Sequence, residues 1–174
     1  HKAYIGLAPE LLPNERFVFC GGRQKIDGEL ELFSEVREIT PVPSGNAELY
    51  RKAGEAFVPD DFAHEQNLVI WQSKRAVLIA GCAHRGILNI VRQFTSDYGH
   101  FPDVVIGGFH LHSRGSGKSE SPEAVDTLAR ELLQTGARYY PCHCTGQEAY
   151  QRLKAVMGNR IGYLSTGSRL AISL

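Results

Sequence analysis

A repeating order of elements in the last hundred residues constrains the fold most strongly. From residue 76 onward, a short apolar segment is followed three times by a turn rich in glycine, cysteine or histidine, and then by an amphipathic segment. The apolar segments are residues 76–80, 104–106 and 139–140. Strands that alternate with amphipathic helices predict an α/β layer. We therefore expect one sheet covered by helices in this part of the chain.

The amphipathic segments carry recognisable helix signals. Ser121 and Pro122 form an N-cap and first-turn pair, and Gly136 is a stop signal for the same helix. The residues from Thr145 to Glu148 form a capping box ahead of the third helix, which should end before Gly158. The apolar positions of the three helices recur at helical spacing, which predicts one buried face on each: Ile87, Ile90, Val91 and Phe94; Val125, Leu128, Ala129 and Leu132; Ala149, Leu153, Val156 and Met157.

Further strands are expected on both sides of this repeat. Residues 68–72 and 76–80 predict a hairpin across the sequence Ser-Lys-Arg at 73–75. In the first third, β-like pieces at 16–19 and 30–33 lie among turn signals, and strands at 161–164 and 169–172 are expected to end the chain. The pattern predicts a single domain over residues 1–174.

Charge and composition exclude several classes of protein. The chain of 174 residues carries 19 Lys+Arg and 19 Asp+Glu, so its formal charge is zero, and no block of like charges marks a nucleic-acid or membrane surface. Its apolar runs are far shorter than the ~20 residues that span a bilayer, and no signal-peptide pattern opens it. Four cysteines at uneven spacing predict free thiols rather than a disulfide framework. We expect a soluble, cytoplasmic protein.

Three of the seven histidines occupy equivalent places in the repeat. His84, His110 and His143 each follow the carboxyl end of a predicted strand, and in an α/β sheet these ends lie along one edge, where ligands bind. Converging imidazoles suit a transition-metal ion, so the sequence predicts a metal site from these three residues. An isolated histidine near a turn usually has a structural role. We expect His112 to lie at the surface or to support a metal ligand rather than to bind the ion itself. His64, His100 and His1 are given the structural or solvated reading.

Alternative chemistries fit the sequence less well. The segment 115–119 suggests a phosphate-binding loop, but His112 stands where that pattern requires glycine, and a flexible solvated loop fits better. The Cys142-His143-Cys144 run could belong to a structural zinc site, although the usual second ligand pair is missing. Cys82 could act as a nucleophile with His84 as its base. The default expectation for Cys82 and Cys142 is a small buried apolar side chain.

Four motifs in this order resemble the metallo-β-lactamase-fold hydrolases. They are Gly-Cys-Ala-His-Arg-Gly-Ile at 81–87, Gly-Gly-Phe-His-Leu at 107–111, His-Cys-Thr-Gly at 143–146 and Ser-Thr-Gly-Ser at 165–168. More narrowly, they resemble the branch labelled dihydropterin ribofuranosylaminobenzene-phosphate synthase-like, as do the residues at 61–62 and 64–68. The likeness covers residues 60–168, and residues 1–59 match weakly.

This resemblance implies a fold and a ligand set, with two departures. The fold would be an αββα sandwich, in the α/β (α+β) class, that holds two metal ions at the sheet edge. His84 would bind one ion and His143 the other, and His110 stands where the family often has a bridging Asp. The family's His-x-His-x-Asp-His motif is absent from these residues. We therefore expect the chain to be the carboxyl-terminal part of such a domain, lacking part of the amino-terminal half.

The function implied by the resemblance is metal-dependent hydrolysis. A water activated by zinc, at a site of one or two ions, would attack an ester, a phosphoester or a lactone-like small molecule, and iron or manganese could replace zinc. His84, His110 and His143 alone could hold one ion but not the usual two. The alternative is a non-catalytic ligand-binding or sensing domain that keeps the fold without the complete metal site.

Overall fold

The computed structural model describes residues 3–172, which form a six-stranded mixed sheet, a separate two-stranded hairpin and three α-helices. The strands and helices have these bounds: β1 Arg23–Lys25, β2 Leu30–Phe33, β3 Tyr50–Ala53, β4 Ala56–Pro59, β5 Asn67–Gln72, β6 Arg75–Ala80, α1 Ile87–Tyr98, β7 Val104–Gly108, α2 Pro122–Gln134, β8 Arg138–Cys142 and α3 Gln147–Met157. The order in the large sheet is β1-β2-β5-β6-β7-β8, and β3 pairs with β4.

The large sheet changes from antiparallel to parallel pairing at β6. The hairpin of β5 and β6 is antiparallel, as predicted, and it turns at Ser73 with a φ of 59°. The strands β6, β7 and β8 are mutually parallel neighbours. Because these three strands run in the same direction, their carboxyl ends lie at one edge of the sheet.

One face of the sheet packs against the helices. Four residues on this face are direct cross-strand neighbours in the order Val69, Leu78, Val105 and Tyr139. All four are fully buried, in one cluster with apolar residues of the three helices. The buried faces of α1 and α2 are those that the helical spacing predicts. In α3, Ala149, Leu153 and Met157 are buried as predicted, whereas Val156 is only partly buried. Burial at 25 cal/mol per Å² of apolar surface makes this core the main stabilising contribution.

The start of α2 agrees with its predicted cap, whereas the predicted start of α3 is wrong in detail. The Ser121 Oγ accepts a hydrogen bond from the Ala124 N–H at 3.2 Å, and Pro122 begins the helix. The N-cap of α3 is Gly146, with no side-chain cap. Thr145, the predicted cap, instead donates from Oγ1 to the Cys142 carbonyl at 2.8 Å and accepts from the Phe109 N–H at 3.1 Å. Because the Thr145 hydroxyl connects the ends of β7 and β8, it does not cap α3, and the predicted capping box does not form.

Several terminal predictions are also wrong. Residues 16–19 are mostly exposed and form no strand, and neither do the described residues 169–172. Residues 161–164 contribute one isolated bridge, between Ile161 and Tyr139, because only two backbone hydrogen bonds hold this segment beside β8. His1 lies outside the described residues. Among residues 3–172, no helix is long and apolar enough to cross a membrane.

Candidate metal centre

The three predicted site histidines follow the three parallel strands. His84 comes four residues after β6, His110 two residues after β7, and His143 directly after β8. The chain turns sharply at each point: Ala83, His110 and His143 have φ values of 56°, 48° and 47°. Positive φ is costly for residues with a side chain, by roughly 1–3 kcal/mol each, and such strain clusters at functional sites.

His84 and His110 form an imidazole pair. Their ring centroids are 4.1 Å apart, with the planes tilted by 55°. Both ring nitrogens of His110 are buried and have no hydrogen-bond partner among the described residues. Burial and the neighbouring His84 ring lower the pKa of His110, which favours the neutral ring with a free lone pair. A buried polar group without a partner costs about 1–3 kcal/mol, so this ring is held ready for a ligand.

Three neighbours fix the orientation of His84. Asn46 Oδ1 lies 3.0 Å from His84 Nδ1, and the Asn46 amide donates to the His84 carbonyl at 2.7 Å. Glu65 accepts from the backbone N–H groups of His84 at 2.7 Å and Arg85 at 3.0 Å. Phe62 stacks on the imidazole with a centroid distance of 4.3 Å. With Asn46 Oδ1 as the acceptor, Nδ1 carries the proton and Nε2 keeps its lone pair, as metal-binding histidines require.

Beside this pair lies a second donor group, which we call the thiol–imidazole group: Cys82, His143 and Cys144. One ligand atom from each residue lies within 4.8 Å of the other two. The Cys144 Sγ also lies 3.5 Å from the Cys82 carbonyl oxygen. Hydrogen bonds with the Cys144 thiol and with His84 lower the pKa of Cys82 to about 4, and the bond to Cys82 raises the pKa of Cys144. These opposite shifts favour the thiolate at Cys82 and the protonated thiol at Cys144.

Glycines at the end of β7 allow the strand ends to approach closely. A Cβ at Gly107 would lie 2.6 Å from the Ala80 carbonyl oxygen, and one at Gly108 would lie 2.5 Å from the Cys144 Sγ. Neither distance leaves room for a methyl group, so these positions require glycine. The Gly108 N–H donates to the Gly81 carbonyl at 2.7 Å, which ties β7 to the turn that carries Cys82.

Most other cysteine and histidine predictions can be compared with these positions. All four cysteines are free, as predicted. The expectation that Cys82 and Cys142 are buried is wrong, because both lie at the open sheet edge and are partly exposed. The ring of His112 contacts Ser119 Oγ at 3.1 Å, and the loop between them closes through an isolated bridge. Since α2 begins only at Pro122, that loop does not lead into a helix as a phosphate-binding loop does.

The remaining histidines have local contacts. His100 Nδ1 lies 2.9 Å from the Phe101 carbonyl, and its ring packs edge-on against Trp71. His64 is largely exposed and lies 3.8 Å from Asp60. The prediction of a three-histidine metal site left out Cys82 and Cys144, although the alternative of a structural zinc site included Cys144. The sequence did contain a signal, since Cys82 precedes His84 by two positions and Cys144 directly follows His143.

Two cavities lie near the sheet edge. The smaller, of about 230 Å³, is lined by His110, Lys118, Ser116 and Glu48 among others. The larger, of about 380 Å³, lies between α1 and α2 and is mainly apolar. Phe109 and Leu111, which flank His110, line the larger cavity, but none of the three predicted site histidines does. The smaller cavity is therefore the one that gives access to the candidate site.

The donor set fits a metal ion. Neutral imidazole and thiolate are the ligands that zinc and related ions prefer. The buried nitrogens of His110, which have no partner in the described part of the chain, and the clustered donors of the thiol–imidazole group support this fit. The lone pair that Asn46 leaves on His84 adds a further donor.

The chain has a mixed α/β fold that resembles the metallo-β-lactamase superfamily. A crystal structure described as a metal-dependent hydrolase of the β-lactamase superfamily matches with a TM-score of 0.77 and 26% identity, over 89% of this chain and 58% of that one. The curated 7,8-dihydropterin-6-methyl-4-(β-D-ribofuranosyl)-aminobenzene-5'-phosphate synthase of Methanocaldococcus jannaschii is 31% identical over 103 residues, which are 58% of this chain.

Both comparisons are partial. The chain covers about a third (33%) of the length of the curated relative and 58% of the solved structure. No protein-family model matches the chain. The resemblance to the metallo-β-lactamase superfamily that was stated from the motifs is confirmed.

Proposed function

We propose that this chain carries metal-binding residues of a hydrolase that acts on an ester, a phosphoester or a lactone-like small molecule. The observation that carries the proposal is the His110 ring, whose two buried nitrogens lack hydrogen-bond partners within residues 3–172 and whose centroid lies 4.1 Å from that of the oriented His84 ring. His84, His110 and His143 would hold one or two ions, with zinc the first candidate and iron or manganese possible. When bound, the ion supplies a water of lowered pKa and Lewis acidity toward a carbonyl or phosphoryl oxygen.

The chain's own side chains have separate tasks in this proposal. Asn46 holds the proton of His84 at Nδ1, which directs the Nε2 lone pair to the ion. Phe62 covers one face of that ring and excludes water from it. Lys118 lines the cavity that contains His110, where its ammonium group could attract an anionic substrate. These contacts orient and shield the site.

The proposal includes the setting of the protein. Zero formal charge and the absence of charge blocks favour a small-molecule substrate over a nucleic acid or a membrane surface. The four free thiols suit a reducing, cytoplasmic compartment.

Hydrolysis assays with the metal-loaded chain test the proposal. The protein is loaded with zinc, manganese or iron(II), its metal content is measured, and a phosphodiester, a phosphomonoester and a lactone are offered. We expect turnover of at least one class that a chelator abolishes and that His84→Ala lacks. Turnover equal in His84→Ala and in the unaltered chain would overturn the proposal.

The alternative function is a non-catalytic ligand-binding or sensing domain that keeps the fold without the complete metal site. Stoichiometric metal binding without hydrolysis of any of the three substrate classes would support this alternative over the enzyme.

A further inference from the structure

We propose that Cys82, Cys144 and His143 are the protein ligands of a thiolate-bearing metal site that takes one zinc ion or another borderline-soft divalent cation. The inference deepens the proposed function, because it names a ligand set that three histidines alone do not provide. It can also be tested by itself, since the metal–sulfur bond has its own spectroscopic signal.

The positions of the donor atoms support this site. The three ligand atoms lie within 4.8 Å of one another. Bond lengths of 2.0–2.3 Å at a tetrahedral zinc ion place its ligand atoms roughly 3.3–3.8 Å apart. Side-chain movements on the order of 1 Å would therefore bring the three atoms to coordination distance.

The surroundings of Cys144 hold its sulfur toward the group. Cys144 is buried, and the backbone of Gly108 passes so close that a Cβ there would lie 2.5 Å from the sulfur. The Thr145 hydroxyl fixes the turn by bonding the Cys142 carbonyl and the Phe109 N–H. The sulfur faces the Cys82 carbonyl rather than solvent. A side chain placed in this way is a preorganised donor.

The chemistry of the group selects the ion. Two thiolates and one imidazole are soft and borderline ligands, which favour zinc over magnesium or calcium. When the ion binds, the two cysteine side chains act as thiolates, and any proton that a thiol still carries passes to the buffer. Three protein ligands leave a fourth position of a tetrahedral ion open, which is the arrangement of catalytic rather than structural zinc sites. The imidazole pair of His84 and His110 adjoins the thiol–imidazole group through the contact of His84 with Cys82.

Cobalt(II) titration of the full chain under a non-thiol reductant provides the test. We expect one equivalent of cobalt to produce a thiolate-to-cobalt charge-transfer band in the near ultraviolet. The intensity per bound cobalt should fall to about half in Cys82→Ser and in Cys144→Ser, and the band should vanish in the double variant. Cys142→Ser and Cys20→Ser are the matched controls, because neither residue belongs to the group, and both should keep the full band.

A pair of glycine variants tests the same site without removing a ligand. Gly108→Ala pushes against the Cys144 sulfur and should weaken cobalt binding about tenfold, as changes that disturb ligand orientation do. Gly81→Ala is the control, since a Cβ there meets nothing within 4 Å. Circular dichroism and thermal unfolding of each variant show that it is folded before its titration is interpreted.

The outcomes separate this inference from the proposed function. Cobalt bound without a charge-transfer band, or a band that persists in the Cys82/Cys144 double variant, would overturn the thiolate site even if hydrolysis is found. A full thiolate band in a chain that hydrolyses nothing would support the site and count against the hydrolase.

Discussion

The two ends of the parallel strands β6, β7 and β8 differ in how their polar groups are satisfied. At the amino ends, the Asp103 carboxylate accepts from the Ala76 N–H at 2.8 Å and from Arg75 Nε at 2.9 Å. The Asp103 backbone bonds Ala76 on one side and Arg138 on the other, both at 3.0 Å. At the carboxyl ends, His110 keeps two buried nitrogens without partners among the described residues.

This difference separates stabilisation from function within one sheet. The Asp103 contacts join the starts of three neighbouring strands, and every hydrogen bond there contributes to folding. The carboxyl ends of the same strands contain residues with positive φ and the His110 ring, whose nitrogens have no hydrogen-bond partner among the described residues. Both features cost folding free energy. Substitutions should therefore affect metal binding at one edge and the free energy of unfolding at the other.

The largest expected effect is on metal affinity, in His84→Ala. Removing groups that only orient a metal ligand costs about 10–100-fold in affinity, so removing the ligand should cost at least about 100-fold. Isothermal titration with zinc measures the change. His64→Ala is the control, because that ring is largely exposed and contacts Asp60 rather than the site. Equal zinc affinity in the two variants would contradict the assignment of His84.

The next effect is on stability, in Asp103→Ala. Loss of the hydrogen bonds to Ala76 and Arg75 should lower the free energy of unfolding by about 2 kcal/mol at pH 7, while zinc affinity stays the same. Urea unfolding measures the first quantity and titration the second. Glu55→Ala is the control, because that carboxylate is fully exposed. A change in zinc affinity without a change in stability would contradict the claim that the amino ends of these strands stabilise the fold while the carboxyl ends bind metal.

The same variant has a predicted pH dependence. Burial raises the pKa of Asp103, but the Ala76 N–H and the Arg75 guanidinium outweigh it, with help from His100, so the pKa lies below its ordinary value. A carboxyl with a depressed folded-state pKa stabilises the protein above its unfolded pKa of about 3.9 and loses this contribution as the pH falls through the folded value. The stability difference between the unaltered chain and Asp103→Ala should therefore shrink below about pH 4.

A smaller effect on metal affinity is expected for Asn46→Ala. The variant removes the acceptor of the His84 Nδ1 proton, but Glu65 and Phe62 still hold the residue, so zinc affinity should fall only about tenfold. The melting temperature should change little, which distinguishes a positioning role from a structural one. Asn159→Ala, in the exposed 3-10 helix Gly158–Arg160, is the control. A lower melting temperature with unchanged zinc affinity would contradict the prediction.

Local patterns in the sequence predicted much of the sheet and its helices. The β5–β6 hairpin, the buried face of α1 and the Ser121 cap of α2 depend on neighbouring residues, and the structure has all three. The capping box at Thr145 failed because a contact with Phe109, 36 positions away, competes for the same hydroxyl. Local spacing contains no information about such a contact.

The positions of the three histidines at strand ends could be predicted for a similar reason, whereas the approach of Cys144 to Cys82 could not. Each histidine directly or closely follows a strand end, which the repeat of elements marks in the sequence. The contact between Cys144 and Cys82 spans 62 positions and depends on the glycines of β7 letting the strand ends approach. Before the strands were paired, a buried cysteine was the reasonable default.

The smallest expected effect concerns substrate charge, in Lys118→Ala. Lys118 lines the cavity with His110 but is exposed, and an exposed charge contributes about 0.2–1 kcal/mol, or roughly 1.4- to fivefold in an equilibrium constant. If a phosphoester is hydrolysed, its KM should rise about threefold, with kcat unchanged, and added salt should reduce the difference. Lys74→Ala, in the β5–β6 turn at the opposite edge of the sheet, is the matched control and should leave KM unchanged. An equal rise in both variants would mean that overall charge, rather than the carboxyl edge of the sheet, attracts the substrate.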